Sequence, residues 1–123
     1  MSEPSKSLNP EDLIIELKNI LMNGRVGLEK ESLRVNNSLI SNLPHPNTLG
    51  SSLCNQFITT DFSEAQPELI TPPFDKNILT LDFLENIHHY FFHKNPHEIL
   101  WPFSLPPFIE NEDIPIAKFG NSS

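Results

Sequence analysis

FITTDFSEAQPELITP (Phe57–Pro72), together with RVGLEKESLRV (Arg25–Val35), decides how this chain folds, because both concentrate acidic side chains on backbone that reads as strand. Side chains two positions apart in a strand point to the same face, so Glu29 and Glu31 stand side by side while Leu28 points the other way. By the same count an unbroken second strand would align Phe62, Glu64, Gln66 and Glu68, with Pro67 as an interruption and a bend needed to bring Asp61 alongside. Like charges facing each other across neighbouring strands are destabilising, which calls for a cation between them. Mg²⁺ takes oxygen ligands and binds through a few carboxylates plus water or phosphate, and metal with phosphate points to nucleotide chemistry. The competing reading is a solvated acidic strand face.

Composition narrows the classes. A chain of 123 residues with a net charge of −8 has the wrong sign for a nucleic-acid or anionic-membrane surface, both of which rest on clustered Lys and Arg. Its single cysteine, Cys54, excludes an intramolecular disulfide and a cysteine-rich zinc site. With no activating motif nearby, Cys54 is expected to be a small buried hydrophobe. No long apolar run or signal-like N-terminus is present, so the expected location is the cytoplasm.

In order, residues 1–8 read as a mobile polar tail. Asn9, Pro10, Glu11 and Asp12 combine a cap, an N1 proline and first-turn acids, predicting a helix whose Leu13, Leu17, Ile20 and Leu21 pack against a sheet. Gly24 is expected to end it in a left-handed conformation. Asn36–Asn37 signals a turn, Ser38–Ile40 a short return strand, and Asn42–Ser52 a loop with one helical turn in which His45 is solvated. After Asp75 as N-cap, Ile78, Leu81, Leu84, Ile87, His88 and Phe91, widened by Leu79, Phe83 and Tyr90, trace a long helix that Pro96 stops. His89, His93 and His97 lack the convergent set that zinc needs. In the proline-rich segment that follows, Trp101, Phe103 and Phe108 are expected to form a hydrophobic latch over the sheet or the long helix, and Ile114–Phe119 a last short strand.

Four blocks carry a resemblance: GLEKESLRV (Gly27–Val35), ITTDFSEAQPELITPP (Ile58–Pro73), LWPFSLPP (Leu100–Pro107) and IAKFGNSS (Ile116–Ser123). In this order and spacing they resemble the N-terminal part of bacterial glutamate–cysteine ligase. The resemblance implies an α+β fold, a partial and mainly antiparallel sheet with helices on one face, akin to glutamine synthetase. It implies an ATP-dependent ligase that joins the γ-carboxylate of L-glutamate to the amine of L-cysteine, the first step of glutathione biosynthesis. Glu29, Glu31, Asp61 and Glu68 match acidic positions of the family's Mg²⁺ (or Mn²⁺) and nucleotide site, and Phe62 a residue near the cysteine pocket. Glu64 matches no assigned role.

Members of that family are several times longer. Residues 9–123 are therefore expected to be the N-terminal part of a truncated catalytic domain, inactive alone and presenting open strand edges to the missing remainder or to another copy. The rival expectations are a non-catalytic remnant that binds at most metal or a partner chain, and one piece of a split enzyme.

Overall fold

The first helix starts as its capping residues dictate. In the computed structural model, which describes residues 9–108 and 113–118, α1 spans Pro10–Met22, and the Asn9 side chain accepts a hydrogen bond from the Glu11 amide at 3.3 Å. Its end departs from expectation: the chain leaves the helix through Asn23, and Gly24 does not adopt a positive φ. No residue of α1 is buried. Leu13, Leu17, Ile20 and Leu21 are exposed, so this apolar stripe does not pack on the sheet among the described residues.

The acid-rich stretches become three antiparallel strands. β1 (Glu29–Glu31) and β4 (Ile58–Thr60) flank β5 (Pro67–Ile70), in the order β1-β5-β4. Glu31 pairs with Glu68 and Glu29 with Ile70, while Thr59 pairs with Glu68 on the other side. Pro67 is tolerated in this central strand because it occupies the first position, where the strand begins. Arg25–Val35 is not one continuous strand: β2 (Arg34–Asn36) belongs to a second antiparallel sheet, between β3 (Leu39–Ile40) and β6 (Ile99–Leu100). The β2–β3 turn falls one residue later than the Asn-Asn signal. Asn37 and Ser38, at φ 49° and 68°, supply the two positive-φ residues of a tight hairpin whose twist matches its strands.

The long helix α2 runs Asn77–Lys94 and ends before Pro96. Lys76 rather than Asp75 is the N-cap, and it makes no side-chain capping bond. Alternation along β4 and β5 sends Ile58 and Leu69 to the side that meets α2, where they join Leu49, Ile87, Phe91 and Leu100 in the core. The helix face is narrower than its spacing suggests. Thr80, Ile87 and Phe91 are buried, Phe83 and Leu84 pack against the core, and Ile78, Leu79 and Leu81 stay in solvent. Thr80 turns inward because its hydroxyl donates to the Val26 carbonyl at 3.0 Å.

The helical turn in the loop forms at Asn47–Leu49 and inserts Leu49 into the core. Cys54 lies on the surface, contrary to the buried hydrophobe expected. His45, expected in solvent, is buried. The proline-rich segment is not a latch over sheet or helix: Phe103 and Phe108 are exposed, and Phe108 bridges to Leu39 at the edge of β3, its carbonyl accepting from the Ile40 amide at 3.3 Å. Of the expected last strand, Ile116 forms an isolated bridge with Ser63, and Phe119 lies outside the described residues, as does the expected tail 1–8.

Candidate functional site

The register of β1, β5 and β4 builds one acidic face. Since Ile58 and Leu69 point to the core, Thr59 and Glu68 point away from α2, and Glu31, Glu68 and Thr59 form a single row across three strands. Glu29 lies two residues from Glu31 on the same side. Asp61 lies two residues beyond Thr59, its amide bonds to the Gln66 carbonyl at 2.9 Å, and it is near enough to Glu68 for its charge to act there. Gln66 also belongs there, its amide donating to Glu31 Oε2 at 2.9 Å.

The Glu68 carboxyl is pushed above its ordinary range, first by partial burial and then by the charges of Glu29, Glu31 and Asp61. Glu29, Glu31 and Asp61 therefore all lie near enough for their charges to act on Glu68. Their side chains do not converge into a ready cage: among the described residues, no group of three or more His, Cys, Asp or Glu is placed to hold a metal ion. Phe62 lies just past β4 and is 68% exposed, while its carbonyl accepts from the Ala117 amide at 3.1 Å. His89 pairs with Glu85 at 3.5 Å on the helix surface.

Glu64 leaves the face that simple alternation assigned to it. Residues 61–66 form a turn, and the buried Glu64 carboxylate accepts the His45 amide at 2.6 Å and the Lys118 amide at 3.0 Å. The Glu64 amide donates to the Pro115 carbonyl at 2.8 Å, so one side chain and its backbone tie the 43–45 loop and the 113–118 segment to the acidic turn. Burial and the Arg34 charge lower the His45 imidazole, with opposite and smaller pulls from Glu64 and the Gly50 backbone, so the ring is neutral at pH 7.

Beneath this turn lies an ion pair that the sequence reading missed. Arg34, 1% exposed, donates from Nη1 to Glu98 Oε2 at 2.6 Å and from Nη2 to the Pro44 and Glu64 carbonyls at 3.0 and 2.9 Å. Burial would raise the Glu98 carboxyl, but hydrogen bonding from Ser41, Asn95 and Arg34 and the Arg34 charge outweigh it, and the group sits below its usual range. Local spacing held no signal for a pair 64 residues apart.

At the Glu31 end of the acidic face lies an open groove of about 290 Å³ lined by Glu31, Gln66, Trp101, Phe103 and Pro106. Fold and site together define a mixed α+β unit whose antiparallel sheet is apolar toward its helix and carboxylate-rich on the opposite face.

A sequence model of glutamate-cysteine ligase matches residues 13–123. The glutamate–cysteine ligase of Alcanivorax borkumensis is 43% identical over 101 residues, which make up 80% of this chain and 19% of the relative. A bifunctional glutathione biosynthesis protein of Listeria monocytogenes is 42% identical over 106 residues, 85% of this chain and 14% of the relative. The crystal structure of glutamate–cysteine ligase from Francisella tularensis, solved in complex with AMP, superimposes with a TM-score of 0.74 at 35% identity, covering 80% of this chain and 20% of that one. The chain belongs to the glutamate–cysteine ligase family. It spans about a fifth or less of the length of the curated relatives it matches.

Proposed function

We propose that this chain carries the metal-facing strands of an ATP-dependent ligase that joins the γ-carboxylate of L-glutamate to the amine of L-cysteine in the cytoplasm. The observation that carries the reading is the row of like charges: Glu31 opposite Glu68, with Glu29 and Asp61 close enough to raise the Glu68 carboxyl. Such a face is unfavourable by itself and becomes favourable when a hard divalent cation neutralises it. The donors are all carboxylate oxygens, which suit Mg²⁺ or Mn²⁺. Glu29, Glu31, Asp61 and Glu68 would hold the ion, closing on it by side-chain rotation. Bound there, it would offset the charge of the nucleotide's phosphoryl end and of the carboxylate that receives the phosphoryl group.

The chain's own residues do the placing. β5 fixes Glu68 at the centre of the face, β1 presents Glu29 and Glu31 beside it, and the Gln66 amide restrains one oxygen of Glu31. Phe62, exposed beside Asp61, is assigned to the wall of the cysteine subsite. The Francisella relative, solved in complex with AMP, supports nucleotide use by the complete ligase. One acidic wall does not orient glutamate and ATP, and orientation supplies much of such catalysis. The 123 residues alone are therefore inactive and need the rest of the family's catalytic domain.

The test is Mn²⁺ binding to the 123-residue protein, followed by electron paramagnetic resonance. Glu68→Gln is expected to weaken Mn²⁺ at least about tenfold while leaving the melting temperature unchanged or higher, since it removes repulsion from the apo face. Unaltered Mn²⁺ affinity in Glu68→Gln would refute the assignment.

A further inference from the structure

We propose that Glu64 is a positioning residue for the acidic face: its buried side chain clamps residues 113–118 against the turn that presents Asp61 and Phe62. The turn is closed by two backbone bonds, from the Asp61 amide to the Gln66 carbonyl at 2.9 Å and from the Gln66 amide to the Ser63 carbonyl at 3.0 Å. Its two halves rest on different neighbours. Arg34 holds the half that leads into β5, its amide donating to the Ala65 carbonyl at 2.7 Å and its Nη2 to the Glu64 carbonyl at 2.9 Å. The half that follows Asp61 rests on residues 113–118, where the Ala117 amide donates to the Phe62 carbonyl at 3.1 Å and Ile116 bridges Ser63.

Residues 113–118 form no helix or strand of their own, only that single bridge, so bonds from the turn must fix their place. Glu64 grips them at two points. Its amide donates to the Pro115 carbonyl at 2.8 Å, and its Oε1 accepts the Lys118 amide at 3.0 Å. Oε2 accepts the His45 amide at 2.6 Å, so both oxygens of a residue only 4% exposed are engaged. A buried carboxyl group is costly unless it is hydrogen-bonded, and here each oxygen meets a backbone donor. A carboxamide, with one acceptor atom, could serve only one of the two amides. With its oxygens taken up in this way, Glu64 acts through its neighbours in the turn. Asp61 stands where β4 passes into the turn, and its charge reaches Glu68, so a turn that shifts takes one acid of the face with it. The part of Asp61 as a metal donor rests on the reading above; the clamp itself does not.

Two variants of the 123-residue protein separate the clamp from other effects. Glu64→Asp keeps the carboxylate but is one methylene too short to span both amides, and Glu64→Gln keeps the length but not the second acceptor. Mn²⁺ affinity, read by electron paramagnetic resonance, is expected to fall about tenfold in both, the lower end of what losing a support behind a metal ligand costs. Amide hydrogen exchange is expected to quicken at least about tenfold at Asp61, Ala117 and Lys118, while the amides of α2 stay protected. Ile87→Val, a mild truncation in the core, is expected to leave Mn²⁺ affinity unchanged. Parent-like affinity in Glu64→Asp would overturn the role, since weakening by Glu64→Gln alone reports lost charge rather than lost position. Equal weakening by Ile87→Val, or loss of α2 protection in both Glu64 variants, would reduce Glu64 to a residue needed for stability and overturn it as well. A parent protein that binds no Mn²⁺ removes the metal reading, and exchange at Asp61 then decides: faster in the variants supports the clamp, unaltered overturns it.

Discussion

Replacing Arg34 by Met should destabilise this protein more than any surface change. The substitution nearly preserves the aliphatic stem but removes the donors that reach Glu98, Leu43, Pro44 and Glu64. It leaves Glu98, itself 4% exposed, as a buried carboxylate with only neutral partners. Breaking a buried pair from one side costs about 3–5 kcal/mol, against a total stability of about 5–15 kcal/mol for a domain. At roughly 4 °C per kcal/mol the melting temperature should fall by at least about 12 °C.

The pH dependence sharpens that expectation. The Glu98 carboxyl lies below its free value of 4.5 in the folded protein, so its stabilising charge is fully present above 4.5 and is lost as pH falls through the folded value. Without Arg34 the desolvation of Glu98 pushes the group upward instead, and protonation then relieves the buried charge. The stability gap between parent and Arg34→Met should therefore be widest near pH 7 and narrow below about pH 4.5. Urea denaturation followed by circular dichroism of the helices reads both quantities. Equal stability near neutral pH, or a gap that stays constant on acidification, would refute the assignment of Arg34 and Glu98 as the buried pair that ties β2 to the start of β6.

The remaining expectations are simpler. Phe91→Ala empties a site that is 0% exposed in the core, and calorimetry should show a loss of about 3–5 kcal/mol. Gly50→Ala meets no neighbouring atom, but φ +83° with ψ −176° is a region nearly reserved for glycine, so the cost should be about 1–3 kcal/mol from backbone strain alone. Cys54 is exposed in the native state, and a thiol reagent should label it fully without denaturant; protection until unfolding would contradict the loop's placement. In the complete ligase, Glu29→Gln should abolish turnover with little change in melting temperature, as measured by coupled ADP release and scanning calorimetry.

Much of the candidate face was legible in the letters. The alternation Glu29–Lys30–Glu31 defines which side chains share a side, and β1 does pair with β5, whereas Asp61 was read as needing a bend to join them. Asn9–Asp12 announced the start of α1, and the spacing up to Pro96 announced α2. These are short-range features: a strand's period of two and a helix's capping and breaking residues act within a few positions of chain.

What needed the tertiary structure was every decision made by a distant partner. Alternation placed Glu64 beside Glu68, but the amides of His45 and Lys118 offered its carboxylate better bonds and turned it inward. Arg34 looked like one more residue after EKES until Glu98 arrived from beyond α2. Cys54 and the stripe of α1 were apolar enough for a core, yet burial depends on which surfaces meet them, and none of the described elements covers either. The sequence alone determined which residues can share a face, because that follows from bond geometry along the chain. Which faces are buried, which charges are paired, and where an aromatic wall meets the acids were decided by packing between segments far apart in the chain.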